Sequence, residues 1–169
     1  MLVAIVLALS ASARAAEPPE YAVKAAYILN FIHLTRWPED AFAQPSAPLH
    51  VCVVGSDVFG GLLDSTLNGE TAGPHPLVVD HVSAEASLRS CHLAFVSRGA
   101  TERALSELRE LVTAPILTIG ESDRLTGANG IITFVVDGQR VRFDVNRSAA
   151  LSRHLTLSSR LLRVARVVR

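Results

Sequence analysis

A chain of 169 residues, 49% hydrophobic and 19% charged, can bury a single core without metals or multiple crosslinks, and its composition excludes a disordered chain. The formal charge of zero hides an asymmetry. Glu17 to Gln139 carries seven Lys and Arg against fifteen Asp and Glu, whereas Arg140 to Arg169 carries eight Arg against Asp144 alone. A basic end on an acidic body is either a solvated face with cations at a helix C-terminus, or a site for an anionic ligand, an acidic partner or lipid headgroups.

In chain order, Met1–Leu9 is an uninterrupted apolar run followed by small residues, with an A-x-A site at Ala13-Arg14-Ala15. This pattern reads as a signal peptide over 1–16, too short to span a bilayer, ahead of one domain over 17–169. A helix is expected from near Pro19 or Glu20 to just before Pro38, because proline is tolerated at a helix start and breaks its interior. It carries two apolar stripes: Tyr21, Ala25, Ile28, Leu29 and Ile32 on one face, and Val23, Tyr27, Phe31 and Leu34 on another. One stripe suits the sheet, and the second suits the C-terminal helix, a dimer or a partner.

After a loop over 39–48, LHVCVVGSDVFGGLL organises the chain. Five of the six residues of Leu49–Val54 are apolar, with no polar alternation, as in a strand buried on both faces, and Gly55 permits the tight turn into a helix expected over Val58–Leu67. Asn68-Gly69 is a turn signal; Leu77–Asp80 and Leu93–Val96 read as strands, Thr101–Val112 as a capped helix and Ile116–Ile119 as a further strand. Ile131–Val136 and Arg140–Val145 flank Asp137-Gly138, a strong hairpin signal. Asn146 caps a short helix near Arg147–His154, and a last helix is expected over Ser158–Val168. The fold class is α/β: one three-layer domain, a mixed, mostly parallel sheet of about five to six strands, helices on both faces and a C-terminal antiparallel hairpin.

Cys52 and Cys91, 39 residues apart, form neither C-x-x-C nor a four-ligand zinc set. After export, one structural disulfide is the plain reading. The rival is metal binding by both cysteines and His92, which lacks an obvious fourth ligand. The chain contains no phosphate-loop Lys-Ser/Thr, G-x-G-x-x-G, H-E-x-x-H or G-x-S-x-G, so nothing argues for an enzyme, a cofactor or a metal. One constellation stands out: Arg36 and Trp37 at the end of the first helix, Asp144 and Asn146 after the hairpin, and Ser158 and Arg160 at the start of the last helix. These residues either line one groove for a small anionic or aromatic ligand, or serve as caps and anchors with Arg36 paired to Asp144.

Taken in order, VKAAYILNFIHLTRWP, LHVCVVGSDVFGGLL, CHLAFVS, PILTIGES, GIITFVVDGQRVRFDVN and LSSRLLRVARVV resemble the YfiR-like family from Tyr21 to Val168. The resemblance implies a periplasmic, non-catalytic α/β protein that tends to dimerise, with its paired cysteines at Cys52 and Cys91. It also implies repression of an inner-membrane diguanylate cyclase of the YfiN type through that enzyme's periplasmic domain, and hence control of cyclic-di-GMP and biofilm formation. Another periplasmic sensor system is the alternative partner, and no nucleic acid is expected. A second disulfide found in some relatives has no counterpart, since Thr126–Thr133 contains no cysteine. Within this reading Val23, Tyr27, Phe31 and Leu34 form the partner or dimer surface, and the Arg36–Arg160 constellation forms the ligand groove.

Overall fold

The first helix, α1 (Glu20–His33), opens a computed structural model that describes residues 20–169; the expected signal segment, 1–16, lies outside them. There follow β1 (Thr35–Arg36), a 3-10 turn at Glu39–Ala41, β2 (Leu49–Val54), α2 (Leu62–Leu67), β3 (Thr71–Ala72) and β4 (His75–Val82). Next come β5 (Leu93–Val96), α3 (Glu102–Glu110), β6 (Leu117–Gly120), α4 (Asp123–Gly127), β7 (Ile132–Asp137) and β8 (Arg140–Val145). The chain closes with α5 (Arg147–Ser152), β9 (Thr156–Leu157), α6 (Ser159–Val164) and β10 (Val167–Val168).

The main sheet has eight strands in the order β10-β8-β7-β6-β5-β2-β4-β3, of which β3 and β10 are two-residue edges. Its core is parallel, β4 with β2, β2 with β5, β5 with β6 and β6 with β7. The β7–β8 hairpin and the β3–β4 pair are antiparallel. Period-two alternation sends Val51 and Val53 of β2 to one face, where they join Ile28 and Phe31 of α1, Leu63 of α2 and Leu161 of α6. Cys52 and Val54 face the other way, towards Leu105 and Leu108 of α3 and Leu125 of α4. Helices on both faces explain why β5 and, apart from His50, β2 are apolar. Cys52 and Cys91 are joined in a disulfide with Cα atoms 5.8 Å apart, so their sulfurs are not available to a metal.

Three expectations need correction. The helix expected over Val58–Leu67 begins only at Leu62, because Gly60 and Gly61 take positive φ of 58° and 82° and a left-handed pair cannot continue a right-handed helix. The first helix stops at His33, and the residues before Pro38 become β1, paired with β9. The helix expected over Ser158–Val168 ends at Val164. The chain then turns at Ala165 and returns as β10 beside β8, its backbone held by Arg166 N donating to Phe143 O and Arg169 N to Val145 O.

Candidate functional site

The two-strand ribbon β1–β9 brings the end of α1 to the start of α6: Thr35 lies opposite Leu157 and Arg36 opposite Thr156, and Ser158 N donates to Leu34 O at 2.9 Å. Two hollows adjoin on this ribbon, sharing His33, Thr35 and Arg36. The larger, about 390 Å³, is walled by Trp37, Phe42, His75 and Leu49; the smaller, about 160 Å³, by Leu34, Thr156 and Ser158. Arg36 is exposed and makes no ion pair among the described residues. Thr35 Oγ1 is buried with no hydrogen-bond partner. The cleft therefore offers a cation and an unused hydroxyl among rings.

Those rings are stacked. Phe42 lies between His75 (3.6 Å, 12°) and His92 (4.6 Å, 11°), and His50 continues the stack 5.9 Å from His92. His92 Nδ1 accepts from His50 N at 3.1 Å and Nε2 lies 3.0 Å from Ala41 O, which assigns the proton to Nε2 and a neutral ring. Burial holds its pKa below the usual imidazole value. Trp37 is anchored by Nε1 donating to His92 O at 3.1 Å. His75 Nδ1 is 2.7 Å from Ala47 O and His33 Nε2 is 3.1 Å from Thr71 O. With these nitrogens on carbonyls and Ser158 Oγ accepting from Leu161 N at the α6 cap, the cleft presents charge and rings, not a nucleophile beside a base.

The structure brings Arg36, Trp37 and Ser158 together and places the other three elsewhere. Asp144 does not pair with Arg36: Arg166 donates to it through Nε at 2.8 Å and Nη2 at 2.6 Å. Asn146 caps α5 by accepting from Ala149 N at 3.0 Å, and Arg160 is exposed on α6 and lines neither hollow. Of the second α1 stripe, Val23, Tyr27 and Leu34 are half-buried, but Phe31 is 2% exposed and meets Phe143 edge to face at 4.7 Å. Phe31 belongs to the core, since the hairpin closes over that stripe, so a contact surface on it is confined to Val23, Tyr27 and Leu34.

Sequence reasoning missed Thr35, Phe42, His75 and Thr156, which the topology gathers from loops and strands far apart in the chain. It also missed a donor set. Asp57, Asp64 and His81 bring their ligand atoms within 4.8 Å of one another. His81 Nε2 lies 3.0 Å from Asp64 Oδ1, and that hydrogen bond holds the imidazole pKa above its usual value. Among the described residues no helix is long and apolar enough to cross a membrane.

A sequence profile of a family described as YfiR/HmsC-like matches residues 21–166. Among solved structures, a conserved domain protein from Vibrio cholerae O1 biovar El Tor superposes with a TM-score of 0.57 at 10% identity. The superposition covers 89% of this chain and 60% of that one, a likeness of fold alone. No match was found among curated proteins.

Proposed function

The chain belongs to the YfiR/HmsC-like family, whose members are periplasmic regulators of diguanylate cyclase signalling, and from that premise we propose that it represses a membrane-bound diguanylate cyclase by contacting that enzyme's periplasmic domain. In this reading the protein is exported, works as a homodimer, lowers cyclic-di-GMP and so restrains biofilm formation. The half-buried residues Val23, Tyr27 and Leu34 form the contact surface. A repressor must also release its partner, which requires a ligand with different affinity for the free and bound states. One observation carries that role: the cleft around β1, where unpaired Arg36 meets Trp37, Phe42 and His75 beside the unsatisfied Thr35 hydroxyl, fits a small anionic or aromatic ligand. The same cleft favours a second reading, a periplasmic sensor module whose output is a kinase or a transporter.

The test is recovery of membrane partners from the native host on tagged mature protein, with Val23→Asp and Arg36→Glu variants alongside. Repression predicts that a membrane diguanylate cyclase is recovered, that Val23→Asp loses it, and that Arg36→Glu keeps it but no longer responds to signal. A small molecule retained with no cyclase recovered would replace this reading with the sensor module.

A further inference from the structure

The last elements of the chain build a cationic surface that neither the cleft around β1 nor the α1 contact uses. On α6, Arg160, Arg163 and Val164 are spaced by three and four residues and share one exposed face, turned away from buried Leu161. Ala165 leads straight into β10, whose Val168 is 44% exposed. Arg147 N donates to Arg169 O at 2.7 Å, so the start of α5 abuts the end of β10, and Leu151 lies one turn along α5 on the same side as Arg147. Val164 and Leu151, 64% and 58% exposed, are the most open large apolar side chains among the described residues. Aliphatic groups this open, set among guanidiniums, mark an interaction surface.

Charge selects what covers it. Residues 140–169 hold eight Arg and one acidic side chain, Asp144, which is taken by Arg166. Arg147, Arg160 and Arg163 are exposed and make no ion pair among the described residues. Residues 17–139 have the opposite balance, seven Lys and Arg against fifteen Asp and Glu. An anionic plane therefore attracts this end of the molecule and repels the body, which sets the orientation of approach. The hollow that Arg147 and Leu151 line is about 50 Å³, well below the range of small-molecule sites, roughly 300 to 1,000 Å³. Free cations and protruding aliphatic groups without a pocket suit a fluid anionic layer, which needs no matching shape.

We propose that the edge formed by α5, α6 and β10 docks the protein on a bilayer surface rich in anionic phospholipid, with Arg147, Arg160 and Arg163 at the phosphates and Leu151, Val164 and Val168 in the headgroup layer. Arginine suits that place, because its aliphatic stem lies along apolar surface while its planar guanidinium meets phosphate oxygens through paired N–H donors. The attachment is weak and reversible, since it draws on a few charges and a few aliphatic groups and not on an inserted helix. The surface rests on charge and exposure and stands whether or not the protein represses a cyclase.

The experiment is cosedimentation of the purified mature protein with vesicles of phosphatidylcholine alone and of phosphatidylcholine mixed with an equal amount of phosphatidylglycerol. Binding to the mixed vesicles is expected to exceed that to phosphatidylcholine and to fall as salt is raised. An arginine at an anionic surface is worth about fivefold in affinity, so Arg160→Ala combined with Arg163→Ala should weaken binding about 25-fold. Val164→Asp should weaken it too, and its side chain is too exposed for the fold to depend on it. Arg103→Ala combined with Arg109→Ala, on α3 across the sheet, should leave binding nearly unchanged although it removes the same charge. The proposal is overturned by equal binding to the two kinds of vesicle, by α6 variants that bind as the wild type does, or by equal losses from the α3 and α6 pairs. Binding to soluble polyglutamate as tight as to the mixed vesicles would assign the surface to an acidic polypeptide and would also overturn it.

Discussion

Opening the Cys52–Cys91 disulfide tests how far the scaffold depends on it. The bond joins β2 to the residue two before β5, the strand with which β2 pairs in parallel, and both sulfurs are buried, with the residues 1% and 3% exposed. Ladder hydrogen bonds and core contacts persist without it, so its contribution lies mainly in the unfolded chain. A closed loop of 39 residues corresponds to about 4 kcal/mol of lost chain entropy at 25 °C. For a domain of this size each kcal/mol moves the melting temperature by roughly 2 to 4 °C, so the expected loss is roughly 8 to 16 °C. The assay is urea unfolding of wild type, of wild type refolded under reductant, and of Cys52→Ala/Cys91→Ala. The reduced and double-alanine proteins should fall together. A loss below about 1 kcal/mol would refute the loop-entropy argument, and a large gap between the two reduced forms would show that packing around the sulfurs dominates.

Phe31→Ala should cost about 3 to 5 kcal/mol in denaturant unfolding, since it empties a buried site between Phe143 and Phe134, whereas Val23→Ala on the same helix should cost under about 1 kcal/mol; similar losses would contradict the placement of Phe31 in the core. The His92 pKa is held below its ordinary value of 6.5, so the stability linked to it is full above pH 6.5 and is lost as pH falls into the acid range. His92→Gln should flatten the fall in stability between pH 7 and 5, and an unchanged slope would remove His92 as its source. His81, raised by Asp64, works in the opposite direction, its contribution being present below pH 6.5 and lost as pH rises through its folded value, so His81→Asn should lose stability at pH 5.5 more than at pH 8.

Much of the fold was legible because the local signals agreed with the tertiary result. Apolar runs marked β2, interrupted at His50 alone, and β5; Thr101 accepts from Ala104 N as an N-cap of α3, and Asp137-Gly138 turns the hairpin with Gly138 at φ 60°. The failures have specific physical causes. Gly60 and Gly61 sit in a sequence whose apolar spacing still reads as helical, so their left-handed backbone was invisible. Val164, Val167 and Val168 suit a helix and an edge strand equally, and the choice was made by tertiary contacts: Arg166 reaching Asp144, and the terminal backbone joining β8. The candidate cleft was legible only at Arg36, Trp37 and Ser158; its ring stack comes from His50, Phe42, His75 and His92 on separate segments, and no spacing rule links them.

Lys24 was the least legible residue of all, because a lysine on an amphipathic helix ordinarily faces water. Here its side chain is 1% exposed and its ammonium is held by Glu20 on the same helix and by Glu121, itself 1% exposed, just after β6. Tyr21 and Phe134 turn ring faces to the ammonium at 4.5 and 5.8 Å from their centroids. This cluster pins the first turns of α1 to the sheet, and α1 is the element that carries Val23 and Tyr27 and leads into the ribbon bearing Arg36. A buried pair contributes little net stability, but removing one partner strands the other charge in the interior. Lys24→Met should therefore cost about 3 to 5 kcal/mol by leaving Glu121 unpaired. Adding Glu121→Leu to it should restore most of that loss, because an apolar pair of similar volume carries no desolvation penalty. Urea unfolding of the two single variants and the double variant closes the cycle. Equal stability of Lys24→Met and the double variant would show that the lysine contributes packing and not charge compensation, and the anchoring of α1 would then have to be sought in the aromatic contacts of Tyr27 and Phe31.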